Sequence, residues 1–148
     1  MAKSQAAYGH ARKPKVEIDG IKFMSPGEAE RYLELCIMQA KGQIVRFDLQ
    51  PKFPLQKSFR KNGEFFREIN YFADFRVFYP GDRTEVEDVK GWGGYTTPEF
   101  KIKRKLFEYQ YPTLRLIMLK RKGKQVDALL KERASLLATR GGPNETTE

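Results

Sequence analysis

Residues 69–91 read INYFADFRVFYPGDRTEVEDVKG, and no other stretch limits the possible folds as strongly. Two runs rich in aromatic and β-branched residues flank GDRT, whose composition is that of a turn, so an antiparallel hairpin is expected over 69–91. Period-two alternation sorts the side chains. Phe72, Asp74, Arg76 and Phe78 take one face, and Ala73, Phe75 and Val77 take the other. In the second run Asp88 and Lys90 share a face while Glu87 points the opposite way. A carboxylate inside an aromatic strand is costly unless it is paired or bound to a cation. Asp74 therefore has two readings: a partly solvated acid paired with Arg76 or a neighbour, or a ligand.

The remaining segments dress that hairpin as a mixed α/β domain. Asp19-Gly20 between short alternating runs signals a hairpin over 16–25. Ser25 as N-cap, Pro26 at the first helical position and Glu28 three residues after the cap start a helix. Its apolar stripe is Ala29, Tyr32, Leu33, Cys36, Ile37 and Ala40, and Gly42 ends it. Residues 44–56 read as extended chain bent around Pro51 and Pro54. Residues 57–68 read as a charged hairpin or exposed arm. A glycine-rich loop, WGGYTT (92–97), leads to a helix over 98–112, then a buried strand over 113–119 and an amphipathic helix over 124–140. The expected organisation is a disordered basic arm at 1–15, a single domain at 16–140 and a disordered tail at 141–148.

Bulk properties narrow the class. A chain of 148 residues suits one core. No apolar run reaches membrane-spanning length, and the basic N-terminus has no apolar stretch behind it, so neither a membrane partner nor export is expected. A single cysteine, Cys36, excludes a disulfide framework and suits a cytoplasmic setting. The net charge of +9 and pI near 9.7 serve solubility or attract a polyanion, of which nucleic acid is the commonest.

The chemistry-bearing residues point further. If 69–91 is a hairpin, Asp74 and Asp88 lie on neighbouring strands within reach of one ion. Oxygen ligands suit a hard cation, Mg²⁺ or Mn²⁺, and the lone His10 and lone Cys36 cannot build a zinc site. Lys90 beside such an ion could orient an attacking water or stabilise charge on phosphorus. Glu28 is either a capping-box acid bonded back toward Ser25 or a third acid aimed at the sheet. Glu30 and Glu34 lie off the apolar stripe and are expected in solvent. Lys101, Lys103, Arg104 and Lys105 form a cationic run, a solvated face or a phosphate contact, with Lys103 leaning toward the sheet. Arg60, Lys61 and Arg67 around Phe65 and Phe66 suit a DNA-grasping arm or a dimer contact. Trp92 and Tyr95 could stack on an unpaired base or pack under their loop.

In order, SPGE with Glu28, YFADF with Asp74 and DVKG with Asp88, Lys90 and Gly91 resemble the PD-(D/E)XK nuclease superfamily. Alanine stands where that pattern has proline before Asp74. The spacing Ser-x-x-Glu, Tyr-x-x-Asp-Phe and acid-x-Lys-Gly is most similar to phage endonuclease I-type enzymes that resolve Holliday junctions. IDGIKFMSPGEAERYLEL, LQPKFPL and VEDVKG also resemble a phage-encoded family of small nucleases of largely unassigned function. The resemblance covers roughly residues 16–120. It implies a restriction-endonuclease-like sheet, Mg²⁺-dependent hydrolysis of DNA phosphodiesters, and Glu28, Asp74, Asp88 and Lys90 as catalytic residues, the three acids holding metal. It further implies branched DNA as substrate, a homodimer to cut both strands of a junction, and a bacterial host cytoplasm. The alternatives are a nicking or end-processing nuclease and a DNA-binding module with a degenerate site.

Overall fold

A computed structural model describes residues 16–91 and 96–140. The elements in chain order are β1 (Val16–Ile18), β2 (Ile21–Phe23), α1 (Pro26–Ala40), β3 (Arg46–Leu49), β4 (Lys52–Gln56), β5 (Phe59–Lys61) and β6 (Glu64–Phe66). They continue with β7 (Ile69–Phe72), β8 (Phe75–Phe78), β9 (Thr84–Lys90), α2 (Pro98–Gln110), β10 (Arg115–Lys120) and α3 (Val126–Arg140). The terminal arm at 1–15, the tail at 141–148, and Trp92 and Tyr95 lie outside the described residues. No helix among the described residues is long and apolar enough to cross a membrane.

The fold is α/β, built on a mixed four-stranded sheet in the order β10-β9-β8-β3. β9 pairs antiparallel with β8 and parallel with β10, so α2 is the crossover between two parallel strands. One face of the sheet, with Phe75, Val77 and Val89, packs against Ala29, Tyr32 and Leu33 of α1, and α3 adds Val126, Leu129 and Leu130. On the other face Val86 and Leu116 meet Phe107 of α2 and Phe53 and Tyr71 of β4 and β7. The sequence signals at α1 hold: Ser25 Oγ accepts from the Glu28 N–H, and Pro26 opens the helix. Asp19 and Gly20, at φ 55° and 77°, turn the β1–β2 hairpin as an Asp-Gly pair favours.

Three expectations change. The aromatic run is two strands, because Ala73-Asp74 break it: β7 pairs with β4, and β8 with β3 and β9. At the break the Asp74 N–H donates to the Glu87 carbonyl (3.0 Å) and the Asp74 carbonyl accepts from the Gln50 N–H (2.9 Å). The strand expected over 113–119 is a sheet edge in which only Leu116 is buried. Glu30 and Glu34, expected in solvent, face tertiary partners. Glu30 is 5% exposed and accepts from the Gln125 N–H, while Glu34 takes both Arg31 and Arg121. The helix flank that local periodicity leaves polar is covered by the chain after β10. That chain comes so close that a Cβ on Gly27 would lie 2.4 Å from the Arg121 carbonyl oxygen.

An ion pair also ties the two layers together. Glu87, 1% exposed on central strand β9, receives Arg31 Nε and Nη2 of α1 at 2.8 and 2.7 Å. Both carboxylate oxygens are satisfied, which a buried charge needs. Arg31→Met leaves Glu87 buried without a partner and is expected to cost about 3–5 kcal/mol, read as a lowered urea midpoint. The double variant Arg31→Met/Glu87→Met should recover most of that loss.

Candidate functional site

The site forms where β8 and β9 run side by side and the N-terminus of α1 reaches the sheet. The β8–β9 ladder ends with Phe75 opposite Glu87, and just beyond it the Asp74 N–H donates to the Glu87 carbonyl, which brings Asp74 near Asp88. Asp74 Oδ2 accepts the Val89 N–H at 2.6 Å, so its side chain is pinned across the strands and makes no ion pair with Arg76. Arg76 instead stacks over Phe78 and Phe53. Asp88, 8% exposed, has one oxygen on Lys90 Nζ at 2.8 Å and the other on the Tyr71 hydroxyl at 2.5 Å.

Glu28 enters from the opposite layer, in the first turn of α1. Its N–H is capped by Ser25, and its Oε2 accepts from the Met24 N–H at 3.3 Å rather than from Ser25 itself. The same side chain shares a cleft of about 230 Å³ with Asp74, Gln50 and Lys22. Burial pushes the Glu28 carboxyl up, and the Asp88 charge adds to that. Burial likewise lifts Asp74 to about 7, with Glu28 and Asp88 raising it further and the Val89 N–H and Lys90 opposing. Three acids thus share one field with one lysine. Among the described residues no group of three or more His, Cys, Asp or Glu side chains stands close enough to hold a metal ion. The hard oxygen donors that suit Mg²⁺ are the neighbouring pair Asp74 and Asp88, since Mg²⁺ is often held by one or two carboxylates, the remaining positions going to water and phosphate.

Beside the acids runs a cationic groove of about 620 Å³. It is lined by Lys90, Lys101, Arg104, Lys105 and Lys120, with Glu108 the one acid, and floored by Phe100 and Met118. Lys90 lies 3.6 Å from the centre of the Phe100 ring, so one ammonium borders both the acid pair and the groove. Lys103 turns the other way. It pairs with Glu99 at 3.0 Å and lines a smaller recess with Asp88, Tyr71 and Phe72. Arg60, Lys61 and Arg67 are exposed on β5–β6 and its flank, away from the acids.

A family model described as "Protein of unknown function (DUF1064)" matches residues 8–127. The chain belongs to that family. No curated protein and no solved structure matches it. Within this DUF1064 chain, Phe100 and Lys120 border the site without having been picked out from the sequence, and Tyr71 had entered only as the first residue of the Tyr-x-x-Asp-Phe pattern. Tyr71 carried a signal, an aromatic hydroxyl three residues before Asp74 that needs a buried partner. Lys120 carried none, because it enters the groove only through its parallel register with Lys90.

The raised Asp74 carboxyl has a consequence for stability. Its folded value of about 7 lies above the ordinary 3.8 of an aspartate, so ionised Asp74 opposes folding. That penalty is absent below about pH 4, grows by up to about 1.4 kcal/mol per pH unit, and is complete above about pH 7. Asp74→Asn keeps an acceptor for Val89 and removes the charge. Thermal unfolding should therefore find the variant more stable than wild type at pH 8, and the gain should vanish by pH 4.

Proposed function

We propose that this chain is a metal-dependent endodeoxyribonuclease of the PD-(D/E)XK kind, acting on branched DNA. The observation that carries the reading is Lys90, which touches Asp88 at 2.8 Å and lines the cationic groove as well. A polyanion lying in that groove would bring a phosphate to the acids. The charges of Glu28, Asp88 and Lys90 all act on the Asp74 carboxyl, which supports the reading.

Asp74 and Asp88 would hold Mg²⁺, or Mn²⁺ in its place, and the bound ion would lower the pKa of a water and neutralise a phosphate oxygen. The Lys90 ammonium is placed to orient the attacking water and to offset charge building on phosphorus. Tyr71 fixes the Asp88 carboxylate by donating to its second oxygen. Glu28, raised by burial, suits proton transfer at the far side of the cleft. Hydrolysis forms a bond from water oxygen to phosphorus and breaks the phosphorus–ester oxygen bond; the leaving oxygen takes a proton. Lys101, Arg104, Lys105 and Lys120 bind the backbone without reading sequence, which favours selection by DNA shape. Cutting both strands of a junction calls for two such sites and hence a homodimer in the host cytoplasm.

A second reading is a DNA-binding module with a degenerate site. It is favoured by Asp88, whose two oxygens are both taken by Tyr71 and Lys90. Cleavage of a four-way junction beside a matched duplex, with Mg²⁺ added or chelated, separates the readings. Wild type should cut the junction only with the ion present. Asp88→Asn and Lys90→Ala should each lose on the order of 10²–10³-fold in rate while still binding DNA. Intact binding without any cutting by wild type would establish the degenerate module, and preference for linear duplex would remove the branched substrate.

A further inference from the structure

β4, β5, β6 and β7 form one two-stranded arm. β4 pairs with β7 at its base, β5 pairs with β6 nearer the tip, and Asn62-Gly63 turn it at φ 52° and 76°. Only the base is built into the core, through Phe53, Leu55 and Tyr71. From Lys57 to Glu68 every residue is exposed. At about 3.3 Å per residue, six residues a side reach on the order of 20 Å beyond the core. An isolated two-stranded hairpin is marginal in water, and this one is held by its own side chains. Phe59 stacks on Phe66 with ring centres 4.8 Å apart, and Arg60 lies over Phe65.

Apart from Arg60 over Phe65, the cations on the arm are not engaged within it. It carries Lys57, Arg60, Lys61 and Arg67 against Glu64 and Glu68, four cations to two acids. None of the four makes an ion pair among the described residues. Phe65 remains 52% exposed beside Arg60. The arm's return strand β7 runs directly into the Ala73-Asp74 break, so the arm is joined by continuous chain to one of the acids. A second copy of a chain with net charge +9 would meet the arm with like charge. A polyanion would meet it with opposite charge, and a duplex major groove, about 12 Å wide, admits a two-stranded ribbon.

We propose that the 57–68 arm enters the major groove of a DNA duplex flanking the cleavage point and anchors that duplex relative to Asp74 and Asp88. The proposal rests on the nuclease reading for its substrate, but its test does not depend on cleavage. Binding of a short labelled duplex is measured by fluorescence anisotropy in chelator, across a series of salt concentrations. Wild type is compared with the triple variant Arg60→Ala/Lys61→Ala/Arg67→Ala and with Phe65→Ala. The triple variant should fold as wild type by circular dichroism and lower the slope of log affinity against log salt by about 3. Phe65→Ala should weaken binding with the slope unchanged. Methyl green, a major-groove ligand, should compete with wild type and not with the triple variant. Wild-type binding and slope in the triple variant would overturn the arm's role and leave the nuclease reading standing. Loss of self-association by sedimentation, with the slope intact, would reassign the arm to protein contact and overturn it equally. Failure of wild type to bind any DNA would remove both readings.

Discussion

The buried pair between Arg31 and Glu87 decides where the candidate site can form. Glu87 sits on β9, a strand hydrogen-bonded on both sides, and points at α1. Alternation then sends Asp88 to the opposite face, toward Tyr71 and α2. Locking α1 at Arg31 also fixes Glu28, which lies less than one turn before it on the same helix. A single fork of two hydrogen bonds thus sets the height of one acid-bearing helix against the strand that carries the other acid and the lysine.

Around that lock the protein concentrates negative charge in its interior and positive charge in a groove beside it. Carboxylates withdrawn from water are tolerable here because each is engaged: half-buried Asp74 by a backbone N–H, buried Asp88 by a phenol and an ammonium, buried Glu30 by the Gln125 N–H. Burial raises the carboxyls of Glu28 and Asp74, and the repulsion of neighbouring acids adds to it. Nearby positive charge lowers that cost, as Lys90 does for Asp74. The two features are complementary halves of one electrostatic arrangement, joined at Lys90.

Much of this was legible in the residues. Ser25, Pro26 and Glu28 marked the start of α1, and Asp19-Gly20 marked its preceding hairpin, because caps and tight turns depend on the chain within four residues. Opposite facing of Glu87 and Asp88 followed from the pleat alone. The errors arose where a segment's neighbour is distant in sequence. Glu34 looked solvated because its partner Arg121 is 87 residues away. The run over 69–80 looked like one strand because nothing local shows that its two halves join different ladders.

The sequence by itself determined most element types and turn positions and set Glu87 and Asp88 on opposite faces of their strand, since these follow from backbone sterics and short-range hydrogen bonds. Only the tertiary structure decided that the Ala73-Asp74 break swings a carboxylate onto the Val89 N–H, and that Lys120 lines up with Lys90. It also decided that the charged 57–68 segment projects from the core instead of packing on it. Those outcomes depend on strand order and register, which arise from burying two apolar faces of a sheet at once and are carried by no single stretch of chain.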